Sequence, residues 1–311
     1  MLSIRLFGSF AVQRDGQYLP GLEAHKVQEL LAYLLIYRER PHPRETLAAL
    51  LWGESTTAQS KKWLRQALWQ LQTALDVAKM PGGEGALLTE PDLIQFNARS
   101  DVWLDVADFE HAFAQSRGVA GEALDDVVAG CLRDAIALYR GDLLEGWYAD
   151  WCLFERERLQ NAYLMMLDKL MAHCETCCDY EIGIDYGTRI LRCNRAREHT
   201  YQHLMRLYYL AGDRATALRQ YERCVAALAE ELSVRPSART TALYDQIRAD
   251  RLDDPPTHPA VTAAAPVAAV KPLRQLLAYL RQLQARLTEM DQQIEESLET
   301  IDRSHPPDEP S

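Results

Sequence analysis

Residues 201–228, YQHLMRLYYLAGDRATALRQYERCVAAL, decide how most of this chain is built. Apolar and small residues recur at helical spacing on both sides of Gly212-Asp213, which reads as two helices joined by a tight turn. The same pattern stands 34 residues upstream. Leu170 aligns with Leu204, Asp179 with Asp213, Gly183 with Ala217, Ile184 with Leu218, Gly187 with Tyr221 and Ile190 with Cys224. A fixed period of this length marks helix pairs that bury their faces only by stacking on one another. Gly212 serves the turn, Ala217 allows two helices to cross closely, and Tyr221 fills the next gap.

These features predict tetratricopeptide-like repeats within a segment, Asp105 to about Ala249, that is helical almost throughout; a third copy in residues 122–160 is degenerate. The repeat alignment also interprets the thiols. His173 matches Leu207, Cys174 matches Tyr208 and Cys177 matches Ala211, so Cys174, Cys177 and Cys178 are expected to fill the packed stack rather than ligate a metal. Seven cysteines, four of them crowded as Cys174, Cys177, Cys178 and Cys193, make a poor framework for paired disulfides. His199 and His203 have metal-ligand spacing but no third ligand nearby, and they read as helical surface. With no phosphate-cradling glycine loop, serine elbow or paired metal motif, the expectation is a protein without metal or cofactor that is not an enzyme.

The 311 residues are 48% hydrophobic and 25% charged, enough for two or three domains with cores of their own. No run reaches the roughly 18–20 apolar residues of a membrane span, and MLSIRLFGSF is unlike a signal peptide, so a cytoplasmic protein with no membrane partner is expected. The net charge of −11 is uneven. Residues 1–100 hold 11 Lys and Arg against 10 Asp and Glu, residues 101–250 hold 17 against 25, and residues 251–311 hold 6 against 10. The first segment, with 11 basic against 10 acidic residues, is therefore the only one of the three without a net negative charge to repel phosphate.

In that segment, LSIRLFGSFAVQRDGQYLP alternates apolar and polar residues and turns at Asp15-Gly16, as a small hairpin does. Val27, Leu30, Leu31, Leu34 and Leu35 form the apolar face of a first helix, ended by Pro41 and Pro43. A short second helix runs from Arg44 to about Trp52, the polar connector GESTTAQS follows, and a third helix holds KKWLRQALWQLQTALD, residues 61–76. After Pro81-Gly82-Gly83, ALLTEPDLIQFN reads as two short strands around Pro91-Asp92. A helix after a short helix, followed by a hairpin, is the winged form of helix-turn-helix. On a wheel of about 100° per residue, Leu64, Leu68, Leu71 and Leu75 point inward. Lys62, Gln66, Gln70 and Thr73 face outward, Trp69 lies on a flank, and Arg65 at the edge is long enough to reach round. Arg, Lys and Gln are the side chains that reach guanine, phosphate and adenine, so Lys61, Lys62, Arg65, Gln66, Trp69, Gln70 and Thr73 are the candidate DNA-binding residues. A solvated polar helix face is the plainer alternative.

After Leu252, a Pro/Ala linker at 253–271 is too poor in large apolar residues to hold a core. Then Leu273, Leu276, Leu280, Leu283, Leu287, Met290, Ile294 and Ile301, with Ser297 as the one polar member, form a seam of alternating three- and four-residue steps. This predicts a coiled coil over 272–303 that would make the protein a homodimer; an amphipathic helix folded back on the repeats is the alternative.

The order of strands, three helices, hairpin and 34-residue repeats resembles that of the SARP-type transcriptional activators over residues 1 to about 250. The resemblance is carried by LLAYLLIYRERPHPRETLAALLWGE at 30–54, LYRGDLLEG at 138–146 and REHTYQHLMRLYYLAGDRATALRQYERCVAALAEELSVRPSARTTALYDQI at 197–247. It implies a mainly α fold in three parts: a winged-helix DNA-binding domain at 1–100, a tetratricopeptide-like bacterial transcriptional activator domain at 101–252, and the C-terminal helix. It also implies binding to direct repeats in double-stranded promoter DNA and recruitment of RNA polymerase, with the helical domain aiding dimer or polymerase contacts. The third helix departs from the family, which usually ends it in several arginines, where this chain has WQLQTALD. A protein-interaction adaptor on the same fold therefore stands beside the activator as the second reading.

Overall fold

The N-terminal alternation becomes three strands, β1 (Leu2–Arg5), β2 (Ala11–Arg14) and β3 (Gln17–Tyr18), in a computed structural model that describes residues 2–77, 85–97 and 99–252. Asp15 (φ 49°) and Gly16 (φ 84°) make the turn between β2 and β3. Two successive positive φ values give the turn twist that matches a hairpin's strands. β2 pairs antiparallel with β1, Ile4 opposite Val12. On the other side of β1 lies β7 (Val102–Leu104), parallel to it, with Ile4 opposite Leu104. Residue 100, expected as a domain boundary, is thus followed at once by a strand of the N-terminal sheet, and Met1–Pro255 form one compact unit. The linker and heptad seam lie outside the described residues.

Between the two parts of the sheet come α1 (His25–Ile36), β4 (His42–Pro43), α2 (Arg44–Trp52), α3 (Thr57–Val77), β5 (Leu87–Thr89) and β6 (Leu93–Phe96). Nine of the ten residues from Val27 to Ile36 are buried, so α1 is a central helix rather than a surface one. Two-residue β4 pairs with β6, His42 opposite Ile94, giving a second sheet in the order β4-β6-β5. α3 starts four residues earlier than its apolar pattern suggests, at Thr57. Ser60, expected in the connector, is buried with its hydroxyl donating to the Thr57 carbonyl at 3.1 Å, and its amide donates to Thr56 O at 2.9 Å. Such local hydroxyl-to-carbonyl and backbone bonds hold polar residues in the first turn, and apolar periodicity does not register them.

The helical part comprises α4 (Asp105–Gln115), a 3-10 turn at Gly121–Ala123, α5 (Asp126–Leu138), α6 (Asp150–Cys177), α7 (Tyr180–Cys193), α8 (Glu198–Leu210), α9 (Arg214–Leu232) and α10 (Ala238–Arg248). Helix pairs α6/α7 and α8/α9 carry the aligned residues in equivalent places. Asp179 and Asp213 precede α7 and α9, but only Asp213 caps, accepting from Thr216 N at 2.9 Å. A Cβ on Gly187 would meet Leu204 Cδ2 at 2.7 Å, which shows how closely α7 crosses α8.

Two locks join the helical part to β1. The buried Asp105 carboxylate accepts the amides of Leu6 (2.9 Å), Phe7 (3.0 Å) and Val106 (2.8 Å). The LYRGDLLEG segment lies along the same stretch of chain: Gly8 N donates to Asp142 O, Leu144 N to Leu6 O and Glu145 N to Gly8 O, at 2.8–2.9 Å. The Arg156 guanidinium holds that segment from behind through the carbonyls of Leu143, Leu144 and Trp147 at 2.8–2.9 Å. Aromatic packing adds to this, with Tyr33 of α1 edge-on to Trp151 of α6 at 5.4 Å. One hydrophobic cluster accordingly runs from Leu2 to Leu207.

Candidate nucleic-acid interface

α3 is held on one side only. Leu64, Ala67, Leu68, Leu71, Ala74 and Leu75 are buried, and Trp63 meets Trp52 of α2 at 6.5 Å between ring centroids. Each leucine taken from water contributes about 1.5–3 kcal/mol, so this face sets the orientation of the helix. The hairpin is fastened next to it. Gln72 Nε2 donates to Thr89 Oγ1 at 2.8 Å, Arg44 N donates to Asp92 O at 2.9 Å, and the Arg44 guanidinium reaches Glu90 O at 3.2 Å.

On the outer face Lys62, Arg65, Gln66, Trp69 and Thr73 are exposed together, and Gln70 is half-buried. Lys62, Arg65 and Gln66 have no hydrogen bond or ion pair among the described residues. The other candidates differ. Lys61 Nζ is 2.6 Å from Glu45 Oε1, and that ammonium holds the Glu45 carboxyl below its usual range. Thr73 turns its hydroxyl back to Trp69 O at 2.8 Å, satisfying a helix carbonyl. Trp69 is 66% exposed. The hairpin tip between β5 and β6 presents Glu90 and Asp92 and no cation. Neither Gln72 nor Arg44 was singled out from the sequence, because the partners that define their roles lie 17 and 46 residues away.

The thiols divide. Cys174 is buried, as expected, and so are Cys152 and Cys224, whereas Cys177, Cys178 and Cys193 are exposed. Cys178 sits just past α6 in the left-handed region (φ 63°), the place Gly212 takes in the next pair, so it serves the turn and not the core. Burial pushes the Cys174 thiol up to about 11. The rings of His199 and His203 lie 4.6 Å apart and tilted by 43°, His199 exposed and His203 half-buried, in a cleft of 540 Å³ that Glu122, Glu175 and Arg206 also line. Among the described residues, no three His, Cys, Asp or Glu are grouped to hold a metal ion. No described helix is long and apolar enough to cross a membrane.

Comparison with known proteins agrees with this arrangement. Residues 104–248 match the Bacterial transcriptional activator domain family. Over 251 residues the chain is 26% identical to the Transcriptional regulatory protein MoaR1 of Mycobacterium bovis (strain BCG / Pasteur 1173P2), with 79% of each chain covered. It is 25% identical, with the same coverage, to MoaR1 of Mycobacterium tuberculosis (strain ATCC 25618 / H37Rv). The fold is shared with Mycobacterium tuberculosis EmbR, solved in complex with a low affinity phosphopeptide: TM-score 0.62 and 22% identity, over 81% of this chain and 66% of that one, just under two thirds of its length. The stacked helix pairs thus fall within a stretch that matches a bacterial transcriptional activator domain, and over most of its length the chain is similar to transcriptional regulators.

Proposed function

We propose that this transcription regulator is an activator that binds double-stranded promoter DNA by laying the outer face of α3 in the major groove. On this reading α1–α3 with the β5–β6 hairpin act as a winged helix-turn-helix, residues 1–100 being the reader. Residues 101–252 act as tetratricopeptide-like repeats that help recruit RNA polymerase. The observation that carries the proposal is the set of unpartnered Lys62, Arg65 and Gln66 on the exposed side of a helix whose other side is fully buried. A helix fits the major groove, and these side chains suit phosphate, guanine and adenine. A homodimer formed through the heptad seam at 272–303 would offset the sparse charge, because joining two weak half-site contacts raises the effective concentration of the second.

The test is an anisotropy titration of the full chain on its own upstream DNA at two salt concentrations. Saturable binding that weakens with salt is expected, and no binding even at low salt overturns the activator reading. Light scattering on a chain truncated before residue 272 should show half the protomers per particle.

The adaptor reading is favoured by Trp69, since a large exposed indole on a helix face suits a protein partner, and by the acidic hairpin tip. Trp69→Ala separates the two: an activator loses promoter affinity, while an adaptor loses partner capture and leaves DNA binding unchanged.

A further inference from the structure

Helices α7, α8 and α9 line an open groove of 460 Å³ to which the proposed function assigns no ligand. Leu191, Leu204 and Tyr208 give it an apolar wall. Two polar side chains are buried in the same wall, Gln220 at 2% exposure and Tyr201 at 5%, and neither has a hydrogen-bond partner among the described residues. Both side chains are almost enclosed, yet their unpaired amide and phenol groups are not sealed from solvent, so they are open to a ligand in the groove.

The rim supplies a charge to match. Arg192, Arg195 and Arg223 line the groove, and no carboxylate does. Arg195 is engaged outside, 3.2 Å from Glu230 and 3.9 Å from Glu231. Arg192 and Arg223 have no ion pair or hydrogen bond among the described residues. Two free guanidiniums, an amide NH2 and a phenol O–H are four donors around one apolar pocket. A guanidinium's planar fork matches the oxygens of a carboxylate or phosphate. The volume lies within the roughly 300–1,000 Å³ of small-molecule sites, and an apolar wall with few placed polar groups is their usual composition.

We propose that this groove is a binding site for a small organic molecule carrying a carboxylate or phosphate on an apolar body, its oxygens held by Arg192, Arg223, Gln220 and Tyr201. The experiment is calorimetric titration of the full chain with benzoate, phenyl phosphate, inorganic phosphate and benzamide, the last being the uncharged counterpart of benzoate. Benzoate or phenyl phosphate should bind, the tighter of the two identifying the head group, and benzamide and inorganic phosphate should each be weaker by about tenfold or more. Arg223→Gln should weaken the preferred probe by about tenfold, and Arg195→Gln by less, because Arg195 is shared with Glu230. Gln220→Leu keeps the packing and removes the amide, with a similar loss expected. The proposal is overturned if neither acid binds, if benzamide or inorganic phosphate binds equally well, or if Arg223→Gln leaves affinity unchanged. Arg223 is exposed, so its replacement keeps the test valid even where Gln220→Leu disturbs the fold.

Discussion

At Cys178 a side chain with a Cβ occupies a position that favours glycine, φ 63° at the end of α6, and its counterpart in the following pair is Gly212 at φ 82°. The left-handed conformation costs a residue with a Cβ about 1–2 kcal/mol, part of which glycine returns through its freer unfolded chain. Cys178→Gly should therefore stabilise the protein by about 0.5–1 kcal/mol, readable as a higher denaturant midpoint. Asp105 is constrained the opposite way. Its carboxylate is acceptor to three amides, and burial pushes its pKa up while those amides pull it down. Asp105→Asn would set an amide N–H against the amide of Phe7 and leave a buried donor unpaired. A loss of about 1–3 kcal/mol is expected in equilibrium unfolding. The hairpin turn at Asp15-Gly16 was readable from the dipeptide itself, whereas nothing near Asp105 in the chain signals the partners at Leu6 and Phe7.

Among the elements, α3 shows how far helical period carries. Leu64, Leu68, Leu71 and Leu75 are buried and Lys62, Gln66 and Thr73 are exposed, as the wheel requires, while Arg65 at its edge and Trp69 on its flank are exposed as well. What period cannot give is competition for a side chain. Lys61 is taken by Glu45 from α2, and Thr73 by its own helix, so the seven candidates are not equivalent. Lys62→Ala should weaken DNA binding on all sequences and lower the salt slope by about one unit, as loss of a phosphate contact does. Arg65→Ala and Gln66→Ala should each cost about 1–3 kcal/mol on the preferred site and little on random DNA. Lys61→Ala should have the smallest effect of the four, because its ammonium already faces a carboxylate. Equal losses for all four on every sequence would mean a general electrostatic face and no base reading.

For the whole molecule, stability should fall as pH drops from 6.5 towards 5. The imidazole of His42, buried with Nε2–H donating to Tyr37 O at 3.0 Å, is held below its ordinary value of 6.5 by burial. His203 is held below it too, by burial first and then by the neighbouring His199. The unfolded chain therefore binds protons below pH 6.5 that the folded chain resists. The stabilising contribution is complete above 6.5 and lost as pH falls through the folded values. Asp105 and Asp168, whose carboxyls burial raises above 3.8, act in the other direction, favouring the fold as they take up protons. Comparing wild type with His203→Gln isolates the histidine contribution: the variant's melting temperature should fall less steeply between pH 6.5 and 5. An unchanged slope would mean that His203 is protonated as freely in the fold as outside it.

What the sequence determined by itself was everything that depends on local period and turn chemistry: the helix pairs 34 residues apart, the buried face of α3, the hairpins at Asp15-Gly16 and Pro91-Asp92, and the resemblance to transcriptional regulators. Such features are decided by neighbours within a few residues, and those neighbours are written side by side. Only the tertiary structure decided that β7 returns to β1, that LYRGDLLEG is a lock held by Arg156, that Cys178 is a turn residue, and that Gln220 and Tyr201 share a groove with two free arginines. Each of these depends on groups brought together across tens of residues, where satisfying a buried hydrogen bond or charge selects the partner and leaves no periodic trace in the chain.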